Sequence, residues 1–98
     1  MKLWVDDLRH VPKGWTVARD DVAAKIYLIM ESVGEISLDH DLGEKSGTGY
    51  DLCKWMVEQE IFPPVIHLHT SNIVGRDNMR QLLTRYAPAG TIIDGVVI

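Results

Sequence analysis

Ile36-Ser37-Leu38-Asp39-His40-Asp41-Leu42-Gly43 decides how this chain is read, because a short strand runs directly into a polar, glycine-containing stretch that continues to Gly49. The same event occurs twice more. Lys2 to Val5 is apolar and ends in Asp6-Asp7, and Val65 to Leu68 leads into His69-Thr70-Ser71-Asn72. Strands this apolar have no wet face, and helical stretches separate most of them. The pattern predicts an α/β fold with a largely parallel sheet covered by helices. Such sheets bind ligands outside the carboxyl ends of their strands, where the strand order reverses. Three strands placing polar residues there is the strongest functional signal in the chain.

The remaining segments fit that frame. Pro12 and Gly14 mark a turn before a short strand, Trp15 to Ala18. Asp20 or Asp21 is expected to cap a helix whose apolar face is Val22, Ile26, Ile29, Met30 and Val33, with Gly34 as its stop. A second helix is predicted from about Tyr50 to Glu60, with Leu52, Cys53, Met56 and Val57 inward and Pro63-Pro64 beyond its end. A third is predicted from about Arg76 to Tyr86, with Met79, Leu82, Leu83 and Tyr86 at helical spacing. Thr91 to Ile93 is read as a strand. Ile92 to Ile98 is expected to end the chain's own sheet, with an edge contact that forms a homodimer as the alternative.

At 98 residues, 46% of them apolar, the chain is expected to form a single domain spanning 1–98. No apolar run is long enough for a bilayer, and there is no signal-peptide pattern. Cys53 is the one cysteine. It can form no internal disulfide and no cysteine zinc cluster, which favours a reducing, cytoplasmic setting. The net charge of −4 argues against a broad nucleic-acid groove. It leaves room for a site that takes one phosphate through a metal.

Two acidic pairs at strand ends suggest a metal site. Hard divalent cations prefer oxygen ligands, and Asp6, Asp7 and Asp39, with Asp41 assisting, are the expected ligands for Mg²⁺ or Mn²⁺. Without a cation such carboxylates would repel and raise one another's pKa. Loop capping is the plainer role for each aspartate. His67 and His69 lie two apart on a strand and so point to one side. Either can move a proton, while a hydrogen-bonded core role is the alternative for His67. His40, between two candidate ligands, is left undecided. Thr70, Ser71 and Asn72 can hold phosphoryl oxygens as well as cap the next helix. Arg9 and Arg76 are candidate phosphate clamps, or solvated surface charges. Gly43, Gly47 and Gly49 lack the lysine of a P-loop and read as a flexible connection or lid. Trp4, Trp15 and Trp55 read as core or half-buried packing, and Cys53 as inert core.

With these residues in place, the chain resembles the receiver domain of two-component signalling. Lys2 to Asp7 looks like its first strand and acidic pair, Ile36 to Gly43 like the phosphoacceptor segment, and Pro64 to Thr70 like its fourth strand and hydroxyl residue. That resemblance implies a flavodoxin-like three-layer sandwich of five strands, order 2-1-3-4-5. It makes Asp39 the phosphoacceptor and Thr70 a phosphoryl contact. The short link between the first two strands and the chain's end imply that the first and last helices are reduced or missing. The fifth strand, Thr91 to Gly95, lacks the usual lysine.

A closer resemblance is to the cyclic-phosphate processing receiver domain. It rests on Leu3 to Arg9, Gly14-Trp15, Ile36 to Gly43, Gly49-Tyr50-Asp51 and Ile66 to Arg76. It implies metal-assisted opening of a cyclic phosphate, with Asp39, His69, His67 and Thr70 as catalytic residues. The expected substrate is a small phosphate compound, either a cyclic nucleotide or an RNA 2′,3′-cyclic phosphate end. A receiver-like signalling module that accepts a phosphoryl group on Asp39 or binds a phosphorylated ligand is the alternative. A 2H-type phosphoesterase would need a second histidine motif, which is lacking.

Overall fold

Leu3 and Val5 are completely buried, whereas Trp4 between them is half-buried. The same burial alternation marks Ile66 and Leu68 around His67, whereas in the third such strand Ile36, Ser37 and Leu38 are all buried, the polar Ser37 lying between two aliphatic residues. Successive strand side chains point to opposite faces, so each strand gives its aliphatic residues to one side only. The computed structural model describes residues 1–98 and places these strands in one sheet. They are β1 (Lys2–Val5), β2 (Thr16–Ala18), β3 (Glu35–Leu38), β4 (Val65–Leu68), β5 (Ile92–Ile93) and β6 (Val96–Val97). The order is β2-β1-β3-β4-β5-β6, parallel except for the last pair. The expected 2-1-3-4-5 arrangement is present, extended by one antiparallel strand. Asp94-Gly95 turns the chain into β6 with φ of 50° and 82°, the left-handed pair that a two-residue hairpin requires.

The helices are α1 (Asp21–Met30), α2 (Gly49–Gln59) and α3 (Ile73–Tyr86). Asp20, Thr48 and Asn72 cap them, each side chain accepting a hydrogen bond from the first turn. At α2, Thr48 and Asp51 form a reciprocal capping box. The connections β2-α1-β3, β3-α2-β4 and β4-α3-β5 all advance in one direction across the sheet. Right-handed crossovers therefore put all three helices on the same face. Their buried residues, Ala24, Leu28, Leu52, Cys53, Met56, Met79 and Leu83, join Leu3, Val5, Ile36, Leu38, Ile66 and Ile93 in one core. The Cys53 thiol is pushed up to about 12 by burial and is inert at neutral pH.

The second face carries Lys2, Trp4, Glu35, Ser37, Val65 and His67, and no helix covers it. The two helices expected to be reduced or missing are the ones that would have formed this third layer. The connection from β1 to β2 replaces them in part. It lays Trp15 edge-on against Trp4 at 5.5 Å and against His67 at 6.2 Å, between ring centroids.

Two expectations need correction. The α1 side chains expected to face inward point outward: Val22, Ile26, Ile29 and Met30 are 56–73% exposed. Ala24 and Leu28 are the ones buried, with Ala23, Tyr27 and Val33 packed at their margin. Alanines at the contact let the helix lie close to the sheet, and that closeness outweighs the bulk of the other stripe. α3 begins at Ile73, earlier than Arg76, because Asn72 supplies its cap.

Candidate metal and phosphate site

Alternation carries past the ends of the strands. Backbone N–H groups of Asp6, Asp39 and His69 extend the ladder to the carbonyls of Ala18, Val5 and Leu38. Continuing the period of two puts Asp6 above Trp4, Asp39 above Ser37 and His69 above His67, all on the helix-free face. One donor atom from each of Asp6, Asp39 and His69 lies within 4.8 Å of the others. Asp6 is fully buried and Asp39 is buried at 8% exposure.

Asp6 is held at both oxygens. Its Oδ1 accepts the backbone N–H groups of Leu8 at 2.9 Å and Arg9 at 2.8 Å. Its Oδ2 accepts from His69 Nε2 at 2.9 Å and lies 3.8 Å from Arg9 Nε. Burial pushes its pKa up, but the N–H groups of Arg9 and Leu8 and the His69 ring outweigh it, and the net direction is down. Asp6 is therefore ionised at neutral pH. Its backbone is fixed too, because Arg19 Nη1 donates to the carbonyls of Asp6 and Arg9.

His69 is fixed on three sides. Its ring stacks on Trp4 with centroids 3.9 Å apart and planes 8° from parallel. Nδ1 is 2.6 Å from Ser37 Oγ, Nε2 faces Asp6, and Arg9 donates a hydrogen bond to its backbone carbonyl. Burial lowers its pKa more than the carboxylates of Asp6 and Asp39 raise it, so the imidazole is neutral at pH 7. A neutral ring with its proton on Nε2 satisfies both contacts: it donates to Asp6 and accepts from the Ser37 hydroxyl. The line Asp6–His69–Ser37 has the partner order of a nucleophilic triad. Ser37, however, is 2% exposed and inside a strand, so it orients the ring and cannot reach a substrate.

Two helix N-termini hold the end of β3. Gly49 donates its N–H to the His40 carbonyl at 2.7 Å, and a Cβ there would lie 2.1 Å from the Asp39 carbonyl oxygen. A Cβ on Gly75 would lie 2.4 Å from the His40 ring. Only glycine permits either approach. The Asp39 Oδ1 accepts the N–H of His40 at 2.8 Å.

The other expected residues are placed around this trio. Asp7 is half-buried and turned toward the connection between β3 and α2, where a Cβ on Gly43 would stand 3.7 Å from its Oδ2. Beside it lies a concavity of about 410 Å³ lined by Arg19, Asp20, Glu44, Lys45 and Ser46, with Leu42 and Gly43. Asp41 is exposed and contacts His40 Nδ1 at 3.0 Å, apart from the trio. His67 Nε2 pairs with Glu35 Oε2 at 2.6 Å, one row below His69. Thr70 is buried at 8% exposure, its hydroxyl accepting the Asn72 N–H, and Ser71 is exposed. Asn72 caps α3 and reaches His40. Arg76 forms a fork with Asp94 at 2.8–3.2 Å, so it ties α3 to the hairpin turn. Arg9 alone of the two expected clamps stands at the acidic cluster. The glycine-rich connection is tied down, since Ser46 Oγ donates to Asp21 Oδ1 at 2.8 Å.

Sequence reasoning missed Ser37, Trp4 and Arg19. Ser37 had a signal: a lone hydroxyl between Ile36 and Leu38, opposite His67 in the neighbouring strand. The largest concavity, about 480 Å³ between α3 and β5–β6, is lined by polar and arginine side chains of α3 and by Ile93, Val96 and Ile98, and none of the trio lines it. The trio instead lies at the helix-free face, with Asp6 and Asp39 buried and His69 partly exposed. It suits a hard divalent cation by donor chemistry: two close carboxylates, with a neutral imidazole beside them. No helix is long and apolar enough to cross a membrane.

No curated protein and no solved structure matches the chain. The cyclic-phosphate processing receiver domain matches residues 1–85, most of the chain, a span that includes Asp6, Asp39 and His69. This chain belongs to the cyclic-phosphate processing receiver domain family.

Proposed function

We propose that the domain opens a cyclic phosphodiester by adding water, with Asp6 and Asp39 holding a divalent cation, Mg²⁺ or Mn²⁺, and His69 moving the proton. The observation that supports this most is the convergence of Asp6, Asp39 and His69 from three strands to within 4.8 Å of one another at the helix-free face. A bound cation supplies Lewis acidity toward a phosphoryl oxygen and acidifies a ligated water. Asp6 and Asp39 bring negative charge to hold it, and Arg9 faces the phosphate. Water oxygen bonds to phosphorus, one ring P–O bond breaks, and the water's proton ends on the released oxygen, leaving a monoester. With Asp6 engaged by the cation and the ring proton moved to Nδ1, a neutral His69 takes the water's proton at Nε2 and passes it to the released oxygen. Ser37 serves either tautomer, since its hydroxyl donates or accepts by rotation. Thr70 and Asn72 shape the turn beside the site, and His67 stands one row further from it. The signalling alternative, phosphorylation of Asp39, would use a lysine at the end of the fifth strand. Asp94 occupies that place and is paired with Arg76.

The test is turnover of a panel of cyclic phosphates with Mg²⁺ or Mn²⁺ against EDTA, for the wild type and Asp39→Ala. Metal-dependent ring opening that the variant loses is the expected result. Absence of turnover across the panel, or full activity in folded Asp39→Ala, would sink the proposal.

A further inference from the structure

We propose that the helix-free face next to His69 is a base-binding platform, on which Trp15 stacks the heterocycle of a single nucleotide whose phosphate lies at Asp6, Asp39 and His69. This rests on the phosphate site described above and names the class of molecule it takes. The face is continuous with that site. His69 lies on Trp4 at 3.9 Å, and Trp15 abuts Trp4 at 5.5 Å, a span that one nucleotide covers between phosphorus and base. Aromatic rings on an uncovered sheet face are a general device for stacking bases.

The polar groups here fit a heterocycle better than a simple cover. Trp15 has the His67 ring beside it at 6.2 Å and the Lys2 ammonium 5.4 Å over its own ring. His67 and Glu35, hydrogen-bonded at 2.6 Å, remain 41% and 28% exposed. With the His67 Nε2–H given to Glu35, the ring's Nδ1 and the second Glu35 oxygen remain as two acceptors for an amino group on the edge of a stacked base. A layer serving only to seal the sheet would exclude such groups. It would also pair the Trp4 indole N–H, which is buried without a partner. The cations on and beside this face are Lys2, Arg9 and Arg19, the last tied to backbone carbonyls. With a net charge of −4 they suit one nucleotide and not a polymer.

Nuclear magnetic resonance can read this directly, because each of the three tryptophans gives one indole N–H signal. With Mg²⁺ present, adenosine 2′-monophosphate should shift the Trp15 and Trp4 signals and leave that of Trp55, on α2, in place. Inorganic phosphate should leave Trp15 unmoved. A Trp15 signal indifferent to the nucleotide overturns the platform, whether or not the protein hydrolyses anything. In kinetics, Trp15→Ala should raise KM for adenosine 2′,3′-cyclic phosphate at least about fivefold, with kcat changed less than about twofold. KM for ethylene glycol cyclic phosphate, which has no base, should not change, and Trp15→Phe should restore most of the loss. Equal effects on both substrates would assign Trp15 a structural role and overturn the proposal. Indole shifts without turnover of any cyclic phosphate would keep the platform and sink the hydrolytic reading.

Discussion

The two faces of this sheet are built from the same strands and do different work. Ile36 and Leu38 are fully buried beneath helices, while Ser37 between them meets His69 on the other side. Leu68 packs in the core, and His69 beside it joins the acidic cluster. The helical face spends its residues on burial, at roughly 25 cal/mol per Å² of apolar surface. The open face keeps hydrogen-bonded polar groups that burial against a helix would have penalised. One face can therefore hold the fold together while the other tolerates two carboxylates at close range. Sequence neighbours should accordingly fail in opposite ways.

The largest effects should come from that pairing. His69→Ala should lower turnover of a responsive cyclic phosphate about 10²- to 10⁴-fold while thermal unfolding stays close to wild type. Ile36→Ala should do the reverse, losing about 2–5 kcal/mol in denaturant unfolding with kcat retained in the folded fraction. Similar losses of stability from both substitutions would erase the distinction between the faces. Ser37→Ala sharpens it further. Its neighbours Ile36 and Leu38 keep the strand buried, but the His69 ring loses its Nδ1 partner. Activity should fall about 10- to 100-fold, as for other residues that orient a metal-site or catalytic histidine. Unchanged activity would show that Trp4 stacking and Asp6 alone fix the ring.

Gly75→Ala tests how the helical face supports the open one. The added methyl meets the His40 ring, next to Asp39. Overpacking of this kind is expected to cost about 1–3 kcal/mol, measured by thermal or urea unfolding, and to disturb Asp39 through His40. A neutral effect would mean that the α3 N-terminus moves independently of the site.

The helical face was also easier to read in the sequence. The short apolar strands and the glycine and proline breaks between them led to a parallel sheet alternating with helices, because they reflect local preferences, and the resemblance to receiver domains implied the strand order. The open face was harder. Asp6, Asp39 and His69 were legible because each follows an apolar strand. The partners that fix them were not, since Ser37 and Trp4 meet His69 only after residues far apart in the chain are paired. Arg76 illustrates the converse. Its position after β4 pointed to phosphate, but the chain brings Asp94 within reach from the hairpin turn, and the fork closes there.

Acid should affect the open face before the core. The folded pKa of His69 lies below its ordinary value of 6.5. As pH falls below that value, the unfolded chain takes up a proton that folded His69 still refuses. Its contribution to stability is complete above 6.5 and is lost as pH falls through the folded value. Asp6, lowered from 3.8, acts in the same direction further down: its contribution is present above 3.8 and lost as pH falls through the folded value. Melting temperature should thus decline on acidification in two stages. In His69→Gln the upper stage should vanish and the lower remain. An upper stage that persists in the variant would assign it to another group.

The smallest effect should come from α1, where the helical face itself has two sides. Leu28, at 5% exposure, packs in the core, and the adjacent Ile29 is 63% exposed. Periodicity suggested the outward stripe for burial because Val22, Ile26, Ile29 and Met30 are bulkier than Ala23 and Ala24. The sheet selected the alanine side, where the backbone can approach. Leu28→Ala should therefore cost about 2–5 kcal/mol. Ile29→Lys should change the unfolding free energy by no more than about 0.5 kcal/mol, as exposed substitutions usually do. A large loss from Ile29→Lys in denaturant titration would show that the outward stripe is covered in solution. The helix would then be packed on both sides, and bulk, not backbone approach, would have chosen its orientation.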